Sequence, residues 1–220
     1  MPKEIKGFLH EFKDVMPPKL LKRLPPRREG DHKIDVESGA KPPTMGPHKM
    51  ALPELEEPRR QLKVLLDAGF IQSSKAPCGV LMLILEEAYG SLCTYMRYRT
   101  LNKVIVKNKY PILLIVDLFD QLGRVRYFMK LGLRLGYYQV RNVEGDELKT
   151  TYVTRYGSYE FLVMPFGLTN AATTFCMLMN KIFHPYLDKF IVVYLGDIIV
   201  YSNTLEEHVE HLRKVFTLLR

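Results

Sequence analysis

Residues 190–202 read FIVVYLGDIIVYS. Two runs rich in β-branched residues, Ile191–Tyr194 and Ile198–Tyr201, flank Leu195, Gly196 and Asp197. Branched side chains suit a pleated sheet, and a glycine between two such runs supplies the backbone freedom of a tight turn. The stretch predicts a β-hairpin turning at Leu195-Gly196 or at Gly196-Asp197. Asp197 then has two readings. It is a plain turn residue, or it is a carboxylate held at a hairpin tip where it meets a cation. Aspartate is common in turns for reasons of backbone hydrogen bonding alone, so the motif by itself favours the plain reading.

Helical patterns lie on either side. Before the hairpin, TNAATTFCMLMNKIFHPYL sets Ala171, Phe175, Leu178, Met179 and Ile182 on one helix face. After it, TLEEHVEHLRKVFTLLR opens with Thr204 and Glu207 spaced as a capping box. Its apolar stripe reads Leu205, Val209, Leu212, Phe216 and Leu219. His208 and His211, three apart, have the spacing of a metal pair, but the stripe assigns them to a solvated face. The chain stops inside this helix without a glycine or proline after it, which reads as a truncation point.

Further upstream, PELEEPRRQLKVLLDAGF predicts a helix starting near Glu56, with Pro58 in its first turn and Gly69 at its C-terminal end. Val80–Leu85 and Leu92–Tyr98 predict paired strands, and PILLIVDLFDQLG a short helix ending at Gly123. RYFMKLGLRLGYYQVRNV reads as a strand broken between Gly132 and Gly136, and TTYVTRYGSYEFLVM as a hairpin turning at Gly157-Ser158. Tyr137 and Tyr138 are core aromatics or a stacking platform for a base or sugar. Ten of the 14 prolines fall in the first 60 residues, which excludes a long helix or central strand there and predicts an extended arm or a loose linker. Hairpins mixed with helices give an α+β class rather than alternating βαβ units.

Composition sets the outer limits. The 220 residues carry 32 Lys and Arg against 24 Asp and Glu, a net charge of +8 that suits a polyanionic partner such as nucleic acid. The three cysteines, Cys78, Cys93 and Cys176, lack metal-ligand spacing and read as reduced thiols of an intracellular protein. No run has the length of a membrane span, and the charged N-terminus lacks the apolar core of a signal peptide.

Taken in order, LPPRREGDHKI, GAKPP, LLDAGFIQSSKAPCGV, YRTLNKVIVKNKYP, FMKLGLRLGYYQV, KTTYVTRYGSYEFLVMPFGLTNAATTF and YLDKFIVVYLGDIIVYSNTLEEHVEHL cover the chain from about Phe12 to its last residue. Together they resemble the reverse transcriptase domain of a gypsy-type LTR retrotransposon Pol polyprotein. The resemblance implies a right-hand polymerase with fingers and palm, an antiparallel palm sheet packed on helices, and no thumb within this chain. It divides the chain into a Pro-rich arm over residues 1–54, a fingers-like region over 55–130 and a palm-like region over 131–220, partly interleaved.

The same resemblance implies two Mg²⁺ ions held by three aspartates, one in a KLDLRSGY strand and two in a YLDD turn. Template–primer duplex and dNTP are the implied partners. Here the strand reads KLGLRLGY and the turn YLGD, so Gly132 and Gly196 stand where two of the aspartates belong. Asp197 alone remains as catalytic and metal-binding carboxylate. In the fingers Cys93 replaces an arginine, Glu86 and Glu87 fall near the family's lysines, and Arg97 replaces an aspartate. Tyr137 keeps the position of the sugar-discriminating aromatic. Phe166 and Gly167 keep the turn beneath the nucleotide, and Arg155 a hairpin near the template.

Metal stabilisation is worth several kcal/mol, so losing two of three ligands with the triphosphate clamp is expected to cost roughly 10⁴-fold in rate or more. The resemblance thus leaves three functional readings. The chain is a working polymerase, an inactive polymerase fold that still binds nucleic acid, or a non-enzymatic relic reused for protein contact. The ligand count disfavours the first.

Overall fold

The computed structural model describes the chain except residues 1, 16–22, 41–55, 78, 87–91, 112–114, 124, 134 and 195. It divides into two compact units. One comprises Met1–Leu21, Lys109–Arg134 and Phe175–Arg220, and the other Lys22–Asn108 and Leu135–Thr174.

The unit formed by Lys22–Asn108 and Leu135–Thr174 is built on a five-stranded sheet. Its strands are β1 (Ile71–Ser73), β2 (Val80–Glu86), β3 (Leu92–Met96), β5 (Tyr152–Thr154) and β6 (Gly157–Phe161), in the order β1-β6-β5-β2-β3. The β2–β3 and β5–β6 pairs are antiparallel, as their hairpin patterns require, whereas β2 joins β5 in parallel through Val80↔Tyr152 and Leu81↔Val153. Helix α2 (Glu56–Asp67) keeps Pro58 in its first turn, where no backbone donor is lost, and is followed by Gly69 with φ 72°.

The core of this unit includes Tyr98, Leu101 of the short helix α3 (Arg99–Asn102), Tyr152 and Phe161, each at most 1 % exposed. The buried Tyr98 hydroxyl donates to the Thr150 carbonyl at 2.8 Å, so its polar end is satisfied. The described residues 23–40 of the Pro-rich segment lie against this unit, whereas Lys3–Glu11 form a helix and not extended chain. Ile34 N–H donates to Asp146 Oδ2 at 2.7 Å, and Val36 bridges Ile105. Arg27 Nη1 donates to the Asn142 carbonyl at 3.1 Å. Residues 41–55 lie outside the described residues.

The other unit holds a three-stranded antiparallel sheet of β4 (Tyr127–Gly132), β7 (Ile191–Tyr194) and β8 (Asp197–Ser202), in the order β4-β8-β7. The hairpin expected from residues 190–202 is β7–β8. Tyr194 pairs with Asp197, so the chain reverses direction between these two residues. The strand expected from Arg126 onward is broken as read. β4 ends at Gly132, and Gly136–Gln139 form a 3-10 turn introduced by Leu135 at φ 52°. Helices α1 (Lys3–Glu11), α4 (Ile115–Leu122) and α6 (Leu205–Leu219) belong to this unit with the greater part of α5 (Ala171–Phe183).

α1 packs on α6 through Phe8, Phe12 and Phe216, whose ring centroids lie 4.8–5.7 Å apart. Burial of each such ring contributes about 1.5–3 kcal/mol. The Thr204–Glu207 capping box forms as expected. The face assigned to α6 needs correction, because His208 is only 1 % exposed and lies with Leu212, Val215 and Phe216 on the buried side. Treating histidine as polar had rotated the stripe. Here a hydroxyl on β8 satisfies the ring, and burial follows. Among the described residues, no helix is long and apolar enough to cross a membrane.

Candidate functional site

The β4–β8 pairing sets Gly132 directly opposite Asp197. Side chains alternate along a strand, so Lys130, two residues before Gly132, shares its face. Lys130 Nζ lies 2.8 Å from Asp197 Oδ2, with the two side chains 64 % and 36 % exposed. A Cβ placed on Gly132 would stand 3.5 Å from Asp197 Oδ1, an ordinary contact. The space for a second carboxylate is therefore present, but its oxygens are not. Gly196 has φ 106°, a conformation that strains any residue with a Cβ.

Divalent cations such as Mg²⁺ seek several hard oxygen ligands. This turn offers one carboxylate, already paired with an ammonium. Among the described residues no group of three or more His, Cys, Asp or Glu could hold a metal ion. The donor set does not fit the pair of ions implied by the sequence resemblance.

The remaining expected site residues belong to the unit of the five-stranded sheet. Tyr137 stacks on Phe166 with centroids 4.7 Å apart and planes 29° apart. Tyr138 resolves the two readings of the aromatic pair in a different way for each residue. It turns inward against Phe70 and Phe161, and burial pushes its hydroxyl pKa up, keeping it neutral. Gly167 sits at φ 92° beneath the Met96 carbonyl, 3.5 Å from where a Cβ would be. Asn102 clamps this turn, since Nδ2 donates to the Gly167 carbonyl at 2.8 Å and Oδ1 accepts from Thr169 N–H at 3.0 Å.

Beside the clamp lies an open cleft of about 620 Å³ lined by Arg97, Arg99, Lys103 and Lys107, with Asn102, Gly167 and Thr169. Among the described residues no carboxylate lines it. Four cations around an open cleft can hold a polyanion through charge-assisted hydrogen bonds. Arg155 occupies the exposed turn between β5 and β6, which falls at Arg155-Tyr156 and not at the expected Gly157-Ser158, because Thr154 pairs with Gly157 and so draws Gly157 and Ser158 into β6. Cys93 pairs with Leu85 through the backbone of β3, its side chain lying outside the described set, as does that of Glu86, while Glu87 lies outside the described residues altogether.

The structure thus brings Gly132, Gly196 and Asp197 together at one turn, and Tyr137 with Phe166 and Gly167 at another place. Sequence reasoning missed Lys130, although period-two alternation from Gly132 identifies it. The cleft was also missed. Its cations are close in sequence, but Gly167 and Thr169 complete it from 60 or more residues away.

The model of the family described as reverse transcriptase (RNA-dependent DNA polymerase) matches residues 90–220. An RNA-directed DNA polymerase homolog of Oenothera berteroana is 60 % identical over 128 residues, covering 57 % of this chain and 90 % of that protein. The retrovirus-related Pol polyprotein from transposon 297 of Drosophila melanogaster is 36 % identical over 168 residues, covering 74 % of this chain and 16 % of the polyprotein. The chain therefore spans most of the first relative and a small part of the second. Among solved structures, a foamy viral protease-reverse transcriptase in complex with an RNA/DNA hybrid has a similar fold. The TM-score is 0.85 at 18 % identity, over 99 % of this chain and 29 % of that one.

Proposed function

The chain belongs to the reverse transcriptase (RNA-dependent DNA polymerase) family, with relatives among retrotransposon polyproteins, and from that premise we propose that it is a gypsy-type domain that has lost template-directed DNA synthesis while keeping a surface for nucleic acid. The three-stranded sheet is its palm and the five-stranded sheet carries its fingers. The observation that carries the loss is that, among the described residues, Asp197 is the only carboxylate at its turn, opposite Gly132 and paired with Lys130. Polymerases of this family usually use Mg²⁺. With one ligand the primer hydroxyl is not activated and the charge on the leaving pyrophosphate is not balanced.

Binding rests on different residues. The cations of the cleft are spread over Arg97–Lys107 and do not depend on the metal turn. Arg97, where the resemblance expects an aspartate, makes the cleft more basic. The Tyr137–Phe166 stack offers an aromatic face for a base or sugar. Structural neighbours solved with an RNA/DNA hybrid and with double-stranded DNA support a template–primer duplex as the partner. A dNTP would find its triphosphate clamp weakened by Cys93.

Primer extension on an RNA template with Mg²⁺ tests the loss, with no extension expected. Extension that Asp197→Ala abolishes would overturn it. Fluorescence anisotropy with a labelled RNA/DNA duplex tests the binding, with affinity falling steeply as salt rises. Absence of binding at low salt would leave the protein-contact relic as the remaining reading.

A further inference from the structure

Ser202, at the end of β8, meets two histidines of α6. Its Oγ lies 3.1 Å from His208 Nδ1 and 2.8 Å from His211 Nδ1. His211 Nδ1 is also 3.3 Å from the Tyr201 carbonyl. A carbonyl only accepts, so His211 Nδ1 carries the proton and shares it between the Tyr201 carbonyl and Ser202 Oγ. The serine hydroxyl then donates onward to His208 Nδ1. That leaves His208 neutral, with its proton on Nε2.

The surroundings enforce this arrangement. His208 is 1 % exposed, facing the Tyr127 ring of β4 at 6.2 Å. His211 lies flat on Phe190, centroids 3.9 Å apart and planes 5° apart. The charged and titratable groups nearby come from several elements. β4 offers the phenol of Tyr127, and β8 that of Tyr201, which burial and Asp188 keep protonated. On α6, Glu207 is engaged in the helix cap and Glu210 pairs with Lys214. On the α1 side of α6, Glu11 pairs with Arg213, and Asp14 with Arg220. None of these carboxylates forms an ion pair with His208. Burial and then the neighbouring His211 hold the His208 pKa below the usual histidine value.

We propose that the Ser202–His208–His211 chain is a proton-sensitive latch that fastens α6 to the three-stranded sheet when His208 is neutral and releases it when His208 is protonated. A proton on His208 Nδ1 points a second donor at the Ser202 hydroxyl, removes the one acceptor this hydroxyl serves, and places a charge among apolar groups. Release exposes Leu212, Val215 and Phe216 and frees the β8 end of the hairpin.

Hydrogen-exchange mass spectrometry of the full chain at pH 7.5 and 5.5, corrected for intrinsic rates, reads the latch directly. An undocked histidine titrates near 6.5, so α6 peptides are expected to lose protection across that interval, by about tenfold at most. His208→Leu, which cannot titrate, should abolish the α6 response. The five-stranded unit, with its own buried His32, should keep its response in that variant and so serves as an internal control. Ser202→Ala should lower α6 protection at pH 7.5 already. Proton NMR of the wild-type histidine rings supplies a measurement independent of variants, and should show His208 titrating below the usual histidine value. Equal α6 protection at both pH values, an unchanged response in His208→Leu, or a His208 ring titrating at 6.5 would each overturn the latch.

Discussion

Lys130 and Asp197 face each other across the β4–β8 pairing, ammonium to carboxylate at 2.8 Å, beside the Gly132 that removes a second acid from the same face. Both side chains are substantially solvated, so water and salt screen the pair. Exposed pairs of this kind contribute within about 1 kcal/mol. Lys130→Met and Asp197→Asn are therefore expected to shift the urea midpoint only slightly, and 0.5 M NaCl should erase the difference. A loss several times larger in either variant would mean that the pair anchors the hairpin.

The two glycines of the degenerate turn should respond differently to restoration. Gly132 lies in a strand, and its Cβ would make an ordinary contact with Asp197. Gly132→Asp should fold as well as wild type and bind Mn²⁺ at least tenfold more tightly, because two carboxylates then face each other. Gly196 has φ 106°, where a side chain stores about 1–3 kcal/mol of strain. Gly196→Asp should lower Tm unless the turn changes its conformation. Thermal melts and Mn²⁺ titration followed by electron paramagnetic resonance check both. Equal Tm for wild type and Gly196→Asp would indicate a turn free to rebuild.

Much of this architecture was legible because its signals are local. Alternating branched residues around Gly196 specify a hairpin, and Thr204 with Glu207 specifies where α6 starts, whatever the rest of the chain does. What escaped depends on distant partners. The parallel β2–β5 pairing joins strands that are about 70 residues apart and leaves no mark on either one. His208 lies inside because Ser202 and Tyr127 accommodate it, and no helical periodicity carries that information. Lys130 went unnoticed for a different reason, since a search for missing carboxylates passes over the cation left behind. The glycine substitutions, by contrast, were read from sequence, and the structure adds that one of them is sterically reversible and the other strained.

Asn102 holds the Phe166-Gly167 turn through two hydrogen bonds without adding charge to the cleft. Net hydrogen-bond contributions near 1 kcal/mol each put the cost of Asn102→Ala at about 1–2 kcal/mol. Duplex affinity should fall severalfold while the slope of log affinity against log salt stays unchanged, because no phosphate contact is removed. Arg97→Ala should instead reduce that slope by about one. Anisotropy titrations at four salt concentrations separate the two effects. An altered slope in Asn102→Ala would show that the turn positions the cations as well as the aromatic stack.

His32 should make the five-stranded unit acid-sensitive. Its ring is 1 % exposed, with Nδ1 3.0 Å from Thr174 Oγ1, and burial lowers its pKa to about 4 against a partial opposing pull from Asp146. An unfolded chain binds this proton near pH 6.5, so between 6.5 and about 4 the unfolded state holds more protons than the folded one. Stability therefore falls as pH falls through that window and levels off below it, by on the order of 3 kcal/mol in all. Glu57, whose pKa Arg60 and Gln61 lower from 4.5 to about 2, loses its contribution only below about pH 4.5 and so overlaps just the acidic edge of the window. His32→Asn should be less stable at pH 7.5 but lack this part of the pH dependence. Urea unfolding of the two proteins at half-unit steps from pH 7.5 to 4, read as their difference, isolates the contribution of this one ring. Parallel stability curves would place its titration outside the folding equilibrium.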